Sequence, residues 1–286
     1  MPAQLAPSEA LTYSTVRIEC VLSKGQVGVG TGFFYVFLQD GNMNVPALVT
    51  NKHVVQNAKE GLFLLHIADQ EGGPKLGTNI TVKLDAFEQR WIPHPDPTTD
   101  LCIMPVAPLL HEANKQQKEV FFVPLNHNLI PTPAEVQKFA ALEEIVMIGY
   151  PIGIWDSKNN MPIIRRGITA THVGIDYEGR QEFLIDAACF PGSSGSPVFL
   201  FSTSGQTMRS GGLSLGFRMK LLGVLYAAPQ YTAKGEVIAI TVPTQQKVLA
   251  VSQIPINLGI CIKAQRILEF EPLLRQLIEK EKGRNA

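Results

Sequence analysis

Three short segments carry the side chains that can do chemistry here, and they follow one another in the order histidine, aspartate, serine. In Val49-Thr50-Asn51-Lys52-His53-Val54-Val55 a histidine follows directly on an apolar strand, after the glycine-rich entry Gly28-Val29-Gly30-Thr31-Gly32. An imidazole held there can act as a general base. In His94-Pro95-Asp96-Pro97-Thr98-Thr99-Asp100-Leu101 an acid stands at the mouth of an apolar strand, the setting a histidine-orienting carboxylate requires. Asp96, flanked by prolines, competes with Asp100 for that role. In Phe190-Pro191-Gly192-Ser193-Ser194-Gly195-Ser196-Pro197, glycines on both sides of a serine pair allow a tight loop whose successive N–H groups point into one concavity, as an oxyanion site needs. A serine hydroxyl is a poor nucleophile until an imidazole takes its proton, so the weight lies in the three segments together. By composition alone Ser193, Ser194 and Ser196 all remain candidates.

Other chemistries fit poorly. The glycines at 28–32 suggest a dinucleotide loop, but residues 33–38 read as a strand where that motif requires a helix, and the chain has no Gly-Lys-Ser/Thr phosphate loop. With 25 Lys+Arg against 25 Asp+Glu the net charge is zero, which argues against nucleic acid as a partner. The 4 cysteines stand far apart with no Cys-x-x-Cys pair, which fits reduced, buried thiols better than disulfides or a zinc site. No metal or organic cofactor is expected. The first residues lack the pattern of a secretory signal, and no window reaches the roughly 18 apolar residues of a membrane span, so no membrane association is expected and the default compartment is the cytoplasm.

The elements that must position these residues read mainly as strands. Runs rich in Val, Ile, Phe and Tyr, bounded by turn signals, occupy residues 16–22, 33–38, 47–50, 62–67, 80–84 and 101–106. A second set occupies 145–148, 163–173, 182–186, 198–201, 221–226, 237–242 and 257–263. Residues 202–218 form a polar, glycine-containing insertion. The stretch between the sets is a connector in which Thr132-Pro133-Ala134-Glu135 has the form of a capping box, predicting a helix through about Leu142. Ile267, Phe270, Leu274, Leu277 and Ile278 recur at helical spacing, and Pro272 suits the opening of a final helix. The expected organisation is an N-terminal extension (1–13), a first barrel (14–106), a connector (107–143), a second barrel (144–263) and a C-terminal helix (264–286).

Taken in order, Gly32-Phe33, Thr50-Asn51-Lys52-His53-Val54, Thr99-Asp100-Leu101, Ile148-Gly149-Tyr150-Pro151 and the run from Gly192 to Pro197 resemble the trypsin-like serine proteases of the chymotrypsin fold. The stretch from Asp186 to Gly192 is similar to bacterial Htr-type proteases, and Gly195-Ser196-Pro197-Val198 to the glutamyl endopeptidases. The resemblance covers about residues 15–282 and implies an all-β fold of two antiparallel six-stranded β-barrels with a C-terminal α-helix. It implies a serine endopeptidase with His53 as general base, Asp100 orienting it, Ser194 as nucleophile, and the N–H groups of Gly192 and Ser194 as the oxyanion hole. Polypeptides would be its substrates.

Departures from the family pattern shape the rest. Ser193 stands where the digestive enzymes have the aspartate that captures a new N-terminus, so activation by N-terminal cleavage is not expected. Ala188, at the usual pocket floor, removes the acid behind Lys/Arg preference, and Leu225 stands where glutamyl endopeptidases carry a histidine. With Cys189, Tyr226, Ala227 and Gly259 on the remaining walls, the expected preference is a small or medium apolar side chain. Restraint by narrow specificity, by a regulatory protein partner or by a loop completing the oxyanion hole is expected. The competing reading is a protease-fold module that binds peptides or a partner without turnover.

Overall fold

The computed structural model describes residues 5–22, 25–39, 44–203, 205–207, 211–236 and 249–284. Its first half is an antiparallel sheet of eight strands: β1 (Thr15–Leu22), β2 (Val27–Phe37), β3 (Val45–Thr50), β4 (Ala58–Ala68), β5 (Pro74–Asp85), β6 (Ile92–Pro93), β7 (Cys102–Pro105) and β8 (Val120–Phe121). The order is β5-β4-β1-β2-β3-β7-β6, with β8 added at β4. Alternation explains the pairing. On β1, Val16, Ile18 and Cys20 are buried, while Arg17 and Glu19 between them face outward and pair at 2.6 Å. The end strands β5 and β6 are joined by one 3₁₀ turn, Phe87–Arg90, so the sheet curls back on itself. Six of the strands answer to those read from the sequence. The two added ones, β6 and β8, are two residues long, too short to leave a periodic signal.

The second half closes. Strands β9 (Glu144–Gly149), β10 (Ile163–Thr169), β11 (Glu182–Asp186), β12 (Pro197–Ser202), β15 (Arg218–Ala227) and β18 (Leu258–Lys263) form a six-stranded barrel in the order β10-β11-β18-β15-β12-β9. Between β12 and β15 a small hairpin, β13 (Gln206–Thr207) and β14 (Leu213–Ser214), fills the polar insertion. Strands β16 (Gln230–Glu236) and β17 (Leu249–Pro255) pair as a separate ribbon, and the strand expected at 237–242 lies outside the described residues. The fold is therefore all-β, an eight-stranded antiparallel sheet and a closed six-stranded barrel with a C-terminal helix.

Two helical expectations change. The capping box at Thr132 forms, with Thr132 Oγ1 accepting from Glu135 N–H and Glu135 accepting from Thr132 N–H, but the helix it opens spans only Pro133–Val136. Phe139 is buried against the second barrel, and Ala140 N–H donates to Glu143 Oε1 at 2.7 Å, which turns the chain before a second helical turn can form. The connector also holds a short helix not expected from the sequence, Ala107–Lys115, whose Ala113 is buried against the first sheet. The final helix, Phe270–Arg284, follows a 3₁₀ segment, Ala264–Glu269, and buries Ile267, Phe270 and Leu274. None of the described helices is long and apolar enough to cross a membrane.

One core ties these parts together. Phe33, Tyr35, Phe37 and Ile103 of the first sheet pack with Ile148, Phe199 and Ile262 of the barrel and with Ile267, Phe270 and Leu274 of the C-terminal segment. Burying each such side chain is worth about 1.5–3 kcal/mol, so the two sheets behave as one packed unit and a site shared between them is held firmly.

Candidate active site

His53 sits on a one-turn helix, Lys52–Val55, at the end of β3. Its backbone N–H donates to Asp100 Oδ1 at 3.1 Å and its Nδ1 lies 2.5 Å from Asp100 Oδ2. Asp100 thus grips both the main chain and the ring of His53, which leaves the proton on Nδ1 and frees Nε2 to accept one. Asn51, fully buried, donates its side-chain N–H to the Asp100 carbonyl at 2.7 Å and holds the acid from behind.

Asp96 is drawn elsewhere. Its carboxylate accepts from Thr98 and Thr99 and pairs with Arg266 Nη2 at 2.5 Å. The Thr98 hydroxyl and N–H, followed by the other donors, hold its carboxyl well below the usual carboxylate range.

The serine loop is set by the first sheet. Thr31 N–H on β2 donates to the Ser194 carbonyl at 2.9 Å, and Thr31 Oγ1 donates to the Gly192 carbonyl at 3.0 Å while accepting from Tyr150 N–H at 3.1 Å. The Thr31 carbonyl in turn accepts from Thr50 Oγ1 at 2.7 Å, next to the histidine helix. Gly195 makes this approach possible. A Cβ there would fall 1.9 Å from the Thr31 oxygen, and its φ of +87° lies in the left-handed region. Gly192 has the same φ of +87°. Among the described residues neither the Gly192 nor the Ser194 backbone N–H finds an acceptor, so both are available to an incoming oxygen.

Of the three serines, Ser193 and Ser196 are buried, their hydroxyls without a partner among the described residues, and Ser194 alone is part exposed. Its Oγ donates to the Tyr226 carbonyl at 3.4 Å. No hydrogen bond between Ser194 and His53 forms among the described residues.

The surroundings divide into two cavities and an apolar wall. A cleft of about 490 Å³ lies beside His53, lined by Lys52, Trp91, Pro93, Thr98 and Asp100. A second cavity, about 380 Å³, lies on the other side of Asp100, between Arg180, Glu182, Tyr226 and Arg266. The Tyr226 side chain lines that second cavity. Its hydroxyl donates to Glu182 Oε1 at 3.0 Å, and burial, with the nearby Glu182 charge, pushes its phenol up to about 12. Cys189 and Leu225 close on Gly259, where a Cβ would fall 2.6 Å from both, and Ala188 and Ala227 are half-buried nearby in the chain. Among the described residues no group of three His, Cys, Asp or Glu side chains is arranged to hold a metal ion. Thr31, Thr50 and Asn51 went unassigned in the sequence. Their signal was adjacency to the glycine entry and to His53.

The family model for the trypsin-like peptidase domain matches residues 30–206, a span that holds His53, Asp100 and the serine loop. The chain belongs to the trypsin-like peptidase family. A search of curated proteins returned no match. Among solved structures, this trypsin-like peptidase is similar to an HtrA-type protease, AlgW with a tripeptide, at 15% identity and a TM-score of 0.46, covering 94% of this chain and 62% of that one. It therefore spans less than two thirds of the AlgW chain. It is also similar to Rv3671c of M. tuberculosis H37Rv in an inactive form (17% identity, TM-score 0.41, 93% and 94% covered) and to Deg5 (16%, 0.43, 78% and 88%).

Proposed function

We propose that this trypsin-like peptidase is a serine endopeptidase in which His53, Asp100 and Ser194 act together through an acyl-enzyme. The observation that carries the reading is the two-point grip of Asp100 on His53, at 3.1 Å to the backbone N–H and 2.5 Å to Nδ1. It presents Nε2 as the base for Ser194, the part-exposed serine of the glycine loop.

Ser194 Oγ rotates from the Tyr226 carbonyl to His53 Nε2, which takes its proton as the oxygen attacks the scissile carbonyl. The oxyanion so formed is met by the N–H groups of Gly192 and Ser194, donors worth about 2.7–4 kcal/mol each in the transition state. His53 then protonates the departing amine, the acyl-enzyme forms, and a water activated by the same imidazole releases the product. Asp100 keeps the ring in its tautomer and stabilises the imidazolium throughout.

Ala188, Cys189, Ala227 and Gly259, none of which carries a charge, favour a small or medium apolar side chain next to the cleaved bond. The Ser194–Tyr226 hydrogen bond favours a restrained resting enzyme, released by substrate or by a protein partner. The same bond is the observation behind the second reading, a peptide-binding module without turnover.

A fluorophosphonate probe separates the two. Label mapped to Ser194 by mass spectrometry, and lost in His53→Ala, is the expected result. If neither the purified protein nor the protein supplemented with cell extract takes label at Ser194, the catalytic reading fails.

A further inference from the structure

The loop that carries Asp100, residues 94–100, belongs to no strand, so its shape depends on what holds it from outside. One residue far along the chain holds it at several points. The Arg266 guanidinium, 13% exposed, donates to Asp96 Oδ2 at 2.5 Å and to Thr99 Oγ1, and is itself braced by Glu269 at 2.8 Å. The Arg266 carbonyl accepts from His94 Nε2 at 3.0 Å, and His94 Nδ1 accepts from Asp96 N–H at 3.0 Å. The His94 ring packs edge-on against Phe270, with centroids 5.0 Å apart, and its backbone N–H reaches the Leu101 carbonyl at 2.9 Å. Arg266 thus grips both ends of the loop, at residues 94–96 and at Thr99, beside the carboxylate that grips His53. From the first sheet Lys52 reaches the Asp96 and Pro97 carbonyls, while Asn51 and His53 hold Asp100 itself.

We infer that Arg266 is a positioning residue for catalysis: through Asp96, Thr99 and His94 it sets the loop that aims Asp100 at His53, and so couples the C-terminal segment to the triad. The inference rests on the catalytic reading above. It follows from the sensitivity of general-base catalysis to placement, where an error near 1 Å at an orienting group costs up to about 10²-fold in rate.

The test uses the full chain and the fluorophosphonate probe, recording both the second-order rate of labelling and the fraction labelled at completion, for wild type, Arg266→Ala and Arg266→Lys. Arg266→Ala is expected to label about tenfold more slowly with an unchanged final fraction. Arg266→Lys, which keeps the charge opposite Asp96 but loses the fork, recovers part of the rate. A residue needed only for stability would lower the labelled fraction and leave the rate of the folded part alone, which overturns the inference. A labelled wild type with an equally fast Arg266→Ala overturns it too and leaves the catalytic reading standing. A wild type without label overturns both. Should Arg266→Ala fail to fold, Thr99→Val removes one Arg266 contact and is expected to slow labelling in the same sense, an unchanged rate again being fatal.

Discussion

The Thr31 hydroxyl donates to the Gly192 carbonyl at 3.0 Å, so a side chain of the first sheet fixes the peptide that leads into Ser194 in the second half of the chain. His53 and Asp100 belong to the first half. The hydrogen bond is therefore a direct tether between the base and the nucleophile loop. Replacing Thr31 by valine keeps its volume but leaves the Gly192 carbonyl and the Tyr150 N–H without that partner. A stability loss of about 1–3 kcal/mol in urea unfolding is expected, with slower fluorophosphonate labelling, while Thr31→Ser stays near wild type. A Thr31→Val protein as stable and as fast as wild type would show that the tether is idle.

Asp100 and Asp96 are told apart by kinetics. Asp100→Asn is expected to lower kcat by about 10⁴-fold, the size of loss such a change causes in a serine-protease triad by reversing the histidine tautomer. Asp96→Asn, whose charge is engaged by Arg266, should cost about tenfold or less. The reverse ranking would make Asp96 the acid.

His66 makes stability fall in mild acid. Burial holds its imidazole down from 6.5 to about 4, and its Nε2 has no hydrogen-bond partner among the described residues. The unfolded chain takes up this proton near 6.5 but the folded chain only near 4, so folding stability is complete above 6.5 and declines as pH drops through that window. The loss is on the order of 3 kcal/mol at the acid end. Urea midpoints measured across this range should slope less in His66→Leu than in wild type. Parallel slopes would remove His66 as the cause.

The thiols should be silent in the native protein. Burial pushes Cys20 up to about 12 and Cys189 to about 11, and holds Cys102 and Cys261 well above the usual range. Only the thiolate reacts, so iodoacetamide at mildly alkaline pH is expected to leave all 4 cysteines unmodified until denaturant is added. Native alkylation at Cys189, read by mass spectrometry, would contradict the packed wall formed with Leu225 and Gly259.

Much of the fold was legible because strand formation is a local matter. The alternation of Val16, Ile18 and Cys20 with Arg17 and Glu19 declares β1 without reference to anything else, and the spacing of Ile267, Phe270 and Leu274 does the same for the end of the chain. The Ala107–Lys115 helix was not legible, since Leu109, Leu110 and Ala113 make too short an apolar stripe to stand out from the proline-containing, charged connector around them. The length of the Thr132 helix was not legible either, because it ends where Phe139 finds a place in a barrel built from strands further along.

For the site, the sequence by itself determined the inventory: a histidine after an apolar strand, two aspartates before another, three serines among glycines, and an order that resembles one family. Which aspartate faces His53, and which serine reaches solvent, was decided only by the tertiary structure. Asp96 is claimed by Arg266, and Ser193 and Ser196 are buried, through contacts made by residues remote in sequence. Spacing along the chain carries no record of such contacts, because a carboxylate or hydroxyl takes its role from the charges and donors that folding brings within about 3 Å of it.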